Sequence, residues 1–284
     1  MNSPSHSPST IRWPQAGEVI CHGQNRYRIG EALGRGSYGA TYACTDQWDN
    51  ALVVKVLIPN RQTYEQVQID WRREIHSLLT LRHPNITYVY DAFELLRTFH
   101  IVMERCGGSV SRLFTLPDYD GYNWVLPIGR CLLQAIGYMH DQGYVHKDIH
   151  LRNLFWTYVR NELTPESSQS VTFKVGDLGV SRLEYELCTA RPTIPWMVAP
   201  EVLEPGFGEV GRPTDIYHAG LVLLAVVLGI EPSFSPEEII QGVPQQTARR
   251  LRSPIGDAIQ QALCRHVARR TPTAFDFWRA LSLS

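Results

Sequence analysis

Hydrophobic and polar positions change their period part-way along the chain. Tyr27-Arg28-Ile29 leads into a glycine-rich turn, Thr41-Tyr42-Ala43 leads out of it, and Leu52 to Leu57 is an apolar run broken only by Lys55. All three segments predict strands. Val67, Trp71, Ile75, Leu78 and Leu79 then share one side of a helix that ends before His83-Pro84, because proline disfavours helical backbone in the residue before it. Tyr88 to Phe93 and Phe99 to Met103 predict two further strands. Beyond Gly107-Gly108 the pattern turns helical, with apolar positions 132, 133, 136 and 139 between Arg130 and His140. Leu116 to Pro127 and Arg160 to Ser170 carry Pro, Gly, Asp and Ser and predict surface excursions. Strands with one helix, followed mostly by helices, give an α+β fold with a small β-rich first lobe and a larger helical second one. No internal repeat is visible.

Composition narrows the picture. The 284 residues suit one large domain or two small lobes, and 44% hydrophobic with 19% charged residues is ordinary globular composition, not that of a disordered chain. Lys+Arg 27 against Asp+Glu 28 leaves a net charge of -1. Such a chain has no bulk attraction for nucleic acid or an anionic membrane, so neither is expected as a partner. The longest apolar run, Ala219 to Ile230, is too short to span a bilayer comfortably. Six cysteines, at 21, 44, 106, 131, 188 and 264, form no CxxC pair and read as buried or free thiols, not a disulfide framework. The start, MNSPSHSPSTIRWP, has no apolar signal core. A cytoplasmic protein is expected, with residues 1–17 as a flexible Ser/Pro-rich tail.

The candidate chemistry concerns phosphate. Gly34-Arg35-Gly36-Ser37-Tyr38-Gly39 fits G-x-G-x-x-G, with a strand after it instead of a helix. That suits a glycine hairpin lying over a nucleotide, and equally an ordinary hairpin turn. Lys55 inside an apolar strand needs an anionic partner if buried. Glu74 on the next helix can supply one; the alternative is a strand-edge lysine reaching solvent. In His146-Lys147-Asp148-Ile149-His150-Leu151-Arg152-Asn153, an Asp and an Asn five positions apart can put a carboxylate at a substrate hydroxyl and an amide oxygen at Mg²⁺. Asp177, in Val175-Gly176-Asp177-Leu178-Gly179, offers a second hard oxygen ligand.

Together with Ala199-Pro200-Glu201, this ordered set resembles the protein-kinase family, over about residues 27 to 280. The resemblance implies the two-lobed kinase fold, with an N-lobe over 18–104, a hinge near 104–108 and a C-lobe over 109–284. It implies ATP and Mg²⁺ (with Mn²⁺ as an alternative) and a protein substrate; the oligomeric state is not readable from the sequence, and a monomer is favoured. On the matching positions, Gly34, Arg35, Gly36, Ser37, Tyr38 and Gly39 would cover the ATP phosphates. Lys55 would contact those phosphates and pair with Glu74. Asp148 would take or orient the proton of the acceptor hydroxyl, and Asn153 and Asp177 would hold the metal. Met103 corresponds to the gatekeeper, and Glu104 to Cys106 to the hinge that bonds adenine. Asp215 matches the aspartate that begins a long buried helix and anchors the catalytic loop. Glu201 would pair with Arg270 or Arg269.

The chain also departs from the family. Lys147 stands for the usual Arg and lacks its bidentate fork, which implies weaker dependence on loop phosphorylation. His150 stands where serine/threonine kinases place Lys, and Ile194 beside Thr193 where they place Thr, so the acceptor site looks reworked and His150 joins the candidate catalytic residues. Val53 and Thr41 replace smaller or apolar residues near adenine and would weaken ATP binding somewhat, whereas Leu178 for Phe is an apolar swap. Serine/threonine transfer is expected. Arg152 keeps tyrosine or dual specificity as the alternative, followed by a pseudokinase scaffold or a small-molecule phosphotransferase, whose H-x-D-x-H-x-x-N pattern His150 fits. Ser181, Tyr185, Thr189 and Thr193 are candidate phosphosites.

Overall fold

A computed structural model describes residues 12–35, 39–58, 63–159, 170–178, 182–183 and 197–283. Gly36, Ser37, Tyr38, Gly179, Ser181, Tyr185, Thr189, Thr193 and Ile194 lie outside the described residues. The chain divides into two compact units, the first running to Thr80 and resuming over Thr87–Arg105, the second comprising Leu81–Ile86 and everything from Cys106 on.

The first unit is an antiparallel sheet with one long helix. Its strands are β1 (Val19–His22), β2 (Asn25–Arg35), β3 (Gly39–Thr45), β4 (Ala51–Leu57), β5 (Val89–Leu95) and β6 (Thr98–Glu104), in the order β1-β2-β3-β4-β6-β5. β1 carries no clear sequence signal, because Glu18 to Gln24 mixes single apolar residues with Gly and polar ones, and β2 runs on to Arg35, into the stretch expected as a glycine-rich turn. Side chains alternate across a strand. Ala40, Tyr42, Cys44, Leu52, Val54, Val56 and Val102 therefore share one face, and they pack with Ile20, Tyr27, Ile29 and Phe93 in one buried cluster. Trp13 packs against that cluster, and Gly17 N–H donates to the Ile29 carbonyl at 2.8 Å. Residues 12–17, expected as part of a flexible tail, are thus held to the sheet.

On the other face, Leu57 and Phe99 meet Val67, Tyr64 and Trp71 of helix α1 (Tyr64–Thr80). The expected face of α1 needs one correction: Leu79 is 48% exposed, whereas Glu74 is 4% exposed. Positions 67, 71, 74 and 78 form the inward stripe, and residue 79 lies about 100° of helix rotation beyond 78.

In the second unit, α4 (Arg212–Leu228) is buried from Thr214 to Val227, and from Ala219 on it is apolar on every side, as a fully buried helix must be. It packs against α2 (Gly121–Asp141), which also contacts α8 (Ala274–Ser282). α2 begins well before Arg130, so Leu116 to Pro127 is only partly an excursion. Asp120 caps its first turn by accepting from Tyr122 N–H at 3.0 Å, and Pro127 lies inside the helix. Of the other expected excursion, 160–169 lies outside the described residues. Completing the α elements are α3 (Pro200–Leu203), α5 (Pro236–Gln241), α6 (Val243–Ala248) and α7 (Ile255–Ala262).

Short strands frame the loop of interest. β8 (Tyr144–Val145) precedes it and pairs with β11 (Arg182–Leu183). β9 (Leu154–Val159) follows it, lying between β7 (Gly108–Ser109) and β10 (Ser170–Val175). Leu81–Ile86, which the sequence pattern leaves inside the first lobe, groups here because Asn85 is bonded into β10. Its side-chain amide donates to the Phe173 carbonyl at 2.8 Å and its own carbonyl accepts from Val175 N–H at 2.8 Å.

Candidate active site

The register of the first unit sets its half of the chemistry. Thr41 pairs with Lys55, Ala43 with Val53, Val53 with Met103 and Lys55 with Ile101, so these residues share the face that also carries Leu57 and Phe99. β4 lies between β3 and β6, which excludes an edge position for Lys55. Its ammonium Nζ is 2.7 Å from Glu74 Oε1, with side chains 19% and 5% exposed. The helix is oriented for this contact by its apolar stripe and by Trp71 Nε1, which donates to the His100 carbonyl at 3.2 Å.

Gly39 is required by packing: a Cβ there would stand 2.6 Å from the Val56 carbonyl oxygen and 2.8 Å from Leu57 Cδ2. Gly34 is different, since a Cβ would meet nothing within 4 Å. Arg35 lies over the Trp13 ring, 5.3 Å from its centroid. Met103 and Glu104 end β6, where Glu104 exchanges hydrogen bonds with the Tyr88 backbone at 2.7 and 3.0 Å. Cys106 is a half-buried cysteine at the start of the second unit's long segment.

In the second unit, one buried carboxylate organises the loop from His146 to Asn153. Asp215 is 0% exposed. Its Oδ1 accepts from Lys147 N–H at 2.8 Å, and its Oδ2 from His146 N–H at 2.8 Å and faces His140 Nε2 at 2.9 Å. Burial alone would raise this carboxyl, but the His140 ring and the backbone donors outweigh it and hold it below its ordinary value. Lys147 takes a left-handed backbone, φ 69°, which turns the chain so that consecutive N–H groups meet one carboxylate.

Asp148 follows at 7% exposure. Asn153 Nδ2 donates to the Asp148 carbonyl at 3.1 Å, Asn153 N–H to the His150 carbonyl at 3.0 Å, and Gly176 N–H to the Asn153 carbonyl at 2.8 Å. That last bond ties the loop to Asp177, an exposed residue with φ 56°. Asp148, His150, Asn153 and Asp177 are therefore brought together in one unit. Arg152 points elsewhere, to Glu231 at 3.7 Å.

A second buried carboxylate braces Ala199-Pro200-Glu201. Arg270 donates to both Glu201 oxygens, at 2.8 and 2.9 Å, and Thr214 Oγ1 donates to Oε1 at 2.8 Å. The partner is thus Arg270, not Arg269. Burial would raise the Glu201 carboxyl, and the guanidinium more than reverses it.

The sequence that builds this site matches the protein kinase domain family model over residues 27–277. The chain belongs to the protein kinase domain family. This kinase domain is similar to calcium-dependent protein kinase 20 of Oryza sativa subsp. japonica, 29% identical over 250 residues, which are 86% of this chain and 42% of that protein. It is also similar to calcium-dependent protein kinase 21 of Arabidopsis thaliana, 27% identical over 245 residues, 84% of this chain and 44% of the relative. The chain spans less than half the length of these curated relatives. Kinase domains of this family use ATP and a divalent metal in general, and act on proteins.

Several supporting residues of the kinase domain have no sequence signal. His140 is one of several polar positions on an amphipathic helix, and Thr214 sits beside an aspartate that draws the attention. His218, on the helix after Asp215, is 1% exposed, and neither ring nitrogen has a hydrogen-bond partner among the described residues. Burial lowers its proton affinity, outweighing the opposite pull of Asp215, Asp148 and Glu201.

Proposed function

We propose that this chain transfers the γ-phosphate of ATP to a protein hydroxyl, with serine or threonine as the preferred acceptor. The observation that carries the reading is the loop geometry: Asp148 and Asn153 are bonded to each other through the Asp148 carbonyl, on a backbone clamped at His146 and Lys147 by Asp215. Phosphoryl transfer asks for this kind of rigid positioning more than for covalent chemistry. Asp148 orients the acceptor hydroxyl and receives its proton. Lys55, steered by Glu74, meets the nucleotide phosphates, and Gly34, Arg35, Gly36, Ser37, Tyr38 and Gly39 supply the loop over them. The family resemblance assigns Met103, Glu104 and Cys106 to adenine.

Mg²⁺ is the metal of this reading, with Mn²⁺ as a substitute. No cluster of three or more His, Cys, Asp or Glu side chains suited to a metal occurs among the described residues. Two protein ligands plus phosphate oxygens suit Mg²⁺. The Asn153 amide nitrogen is occupied by the Asp148 carbonyl, so its Oδ1 is the atom that would bind the ion, with Asp177 as the second protein ligand. When bound, the ion would neutralise phosphate oxygens during transfer.

The calcium dependence in the relatives' names is not carried to this chain. A cytoplasmic setting is part of the proposal, supported by the free cysteines Cys21, Cys44, Cys131 and Cys264. The test is a peptide-library phosphorylation assay with mass spectrometry on wild type and Asp148→Asn. Phosphorylated serine or threonine only with the wild type is the expected result. No signal above the variant would overturn the enzyme reading, and phosphotyrosine alone would overturn the acceptor assignment.

A further inference from the structure

Three histidines of the second unit share a local contact. The ring Nδ1 of His83, His146 and His150 accepts the backbone N–H two residues on, from Asn85 at 3.1 Å, Asp148 at 3.3 Å and Arg152 at 3.2 Å. A neutral imidazole whose Nδ1 accepts carries its hydrogen on Nε2. In His146 this Nε2 lies 3.4 Å from the Gly176 carbonyl oxygen, an acceptor. In His150 it faces Asp148 Oδ2 at 3.6 Å, with the two residues 5% and 7% exposed. That separation is just beyond a hydrogen bond, and contacts of this kind tighten when the substrate is bound.

We propose that His150 is a positioning residue for phosphoryl transfer, held by the Arg152 backbone N–H in the tautomer whose Nε2–H steers the carboxylate of Asp148. The proposal rests on the kinase activity proposed above. It follows from two contacts made by opposite ends of one ring. The Nδ1 contact fixes the ring plane from within the loop, and the fixed ring limits rotation of the Asp148 side chain about its Cα–Cβ and Cβ–Cγ bonds. A buried neutral donor suits this role, because it orients the carboxylate and leaves its charge available to the acceptor proton. The loop then carries two ordered contacts in series. His146 ties the backbone at Asp148 to the strand end before Asp177, and His150 restrains the Asp148 side chain itself.

Two substitutions separate the ends of the ring. In His150→Asn an amide oxygen can still accept from Arg152 N–H near the Nδ1 position, but the shorter side chain does not reach Asp148. In His150→Gln the longer amide carries an N–H to where Nε2 stood. The full chain of each variant is assayed for steady-state transfer to a peptide acceptor, with circular dichroism and thermal melts run in parallel. His150→Asn is expected to lower kcat about 10- to 100-fold, with KM for ATP unchanged within about two-fold. His150→Gln is expected to recover most of that loss, and both variants to melt like the wild type. A wild-type kcat in His150→Asn, or equal loss in both variants, overturns the proposal.

A readout that does not depend on activity keeps the two claims apart. In ¹⁵N-histidine-labelled wild type, the signals absent from either variant belong to His150. They are expected to show a protonated Nε2 and an unprotonated Nδ1 at neutral pH. The opposite tautomer overturns the positioning role whatever the activity. A wild type with the expected tautomer but no transfer to any peptide overturns the kinase reading instead.

Discussion

Replacing Asp215 by Asn tests whether one buried carboxylate sets both the stability and the activity of the loop. The side chain keeps its size and loses one acceptor oxygen. If the amide oxygen faces His146 N–H and His140, the new NH₂ group is set against Lys147 N–H, now 2.8 Å from an acceptor. If the amide flips, two donors lose their partner instead of one. The better orientation forfeits one charge-assisted hydrogen bond, about 1.5–3 kcal/mol, and leaves a buried donor unsatisfied, about 1–3 kcal/mol. A loss of about 3–5 kcal/mol is expected, which a fold near the middle of the typical range of roughly 5–15 kcal/mol survives at 25 °C. Urea unfolding followed by circular dichroism measures the loss, and transfer kinetics should show kcat falling at least about ten-fold. The pH dependence has a definite sign. The folded carboxyl titrates below its ordinary value of 3.8, so its contribution is fully present above that pH and fades only as pH falls through the lower folded value. From about pH 5 to 8 the Asp215 carboxyl stays charged, so its own titration does not narrow the gap between wild type and variant. A loss under about 1 kcal/mol would refute the anchoring argument.

Three further outcomes follow from other contacts. Lys55→Met should lower kcat by about 100-fold or more, read in the same assay, with the far-ultraviolet spectrum unchanged because the apolar stripe of α1 is untouched. Arg270→Leu leaves Glu201 charged and buried, both side chains being 0% exposed. It should destabilise by about 3–5 kcal/mol in urea, and adding Glu201→Gln should recover part of that loss in a double-mutant cycle. Gly39→Ala drives a methyl into the Val56 carbonyl and Leu57, for about 1–3 kcal/mol. Gly34→Ala opens onto free space and should change stability by less than about 0.5 kcal/mol. Equal effects of the two glycine changes would refute the packing account of Gly39.

What the sequence makes legible is what period and spacing encode. The alternation from Thr41 to Leu57 marks β3 and β4 and puts Lys55 on a defined face, and the stripe of α1 brings Glu74 within reach of it. The spacing of Asp148, Asn153 and Asp177 points to one cluster, and the fold forms it because β9 and β10 pair directly around it. The misses come from contacts that no local pattern records. Trp13 is ordered by a core assembled from distant strands. Pro127 reads as a breaker until Asp120 caps the turn before it. Leu79 fits the helical period of its neighbours but lies at the margin of the stripe, and the inward place goes to a glutamate because a lysine waits there. The choice between Arg269 and Arg270 depends on which guanidinium reaches Glu201, a question of three-dimensional placement.

The same limit applies to the histidines, and it separates two ways of serving a carboxylate. His140 and His150 both stand near a carboxylate, at 2.9 Å from Asp215 and 3.6 Å from Asp148. Asp215 is saturated by donors and never meets substrate in this reading, so its hydrogen bonds hold the folded loop. Asp148 must exchange partners during a reaction cycle, and a contact slightly longer than a hydrogen bond leaves it able to do so. Stability and rate should therefore fall together when Asp215 is changed and come apart when His150 is changed. A melting loss in His150→Asn as large as that in Asp215→Asn would mean that both histidines serve the fold. A fall in kcat without a fall in melting temperature would assign the shorter contact to structure and the longer one to chemistry.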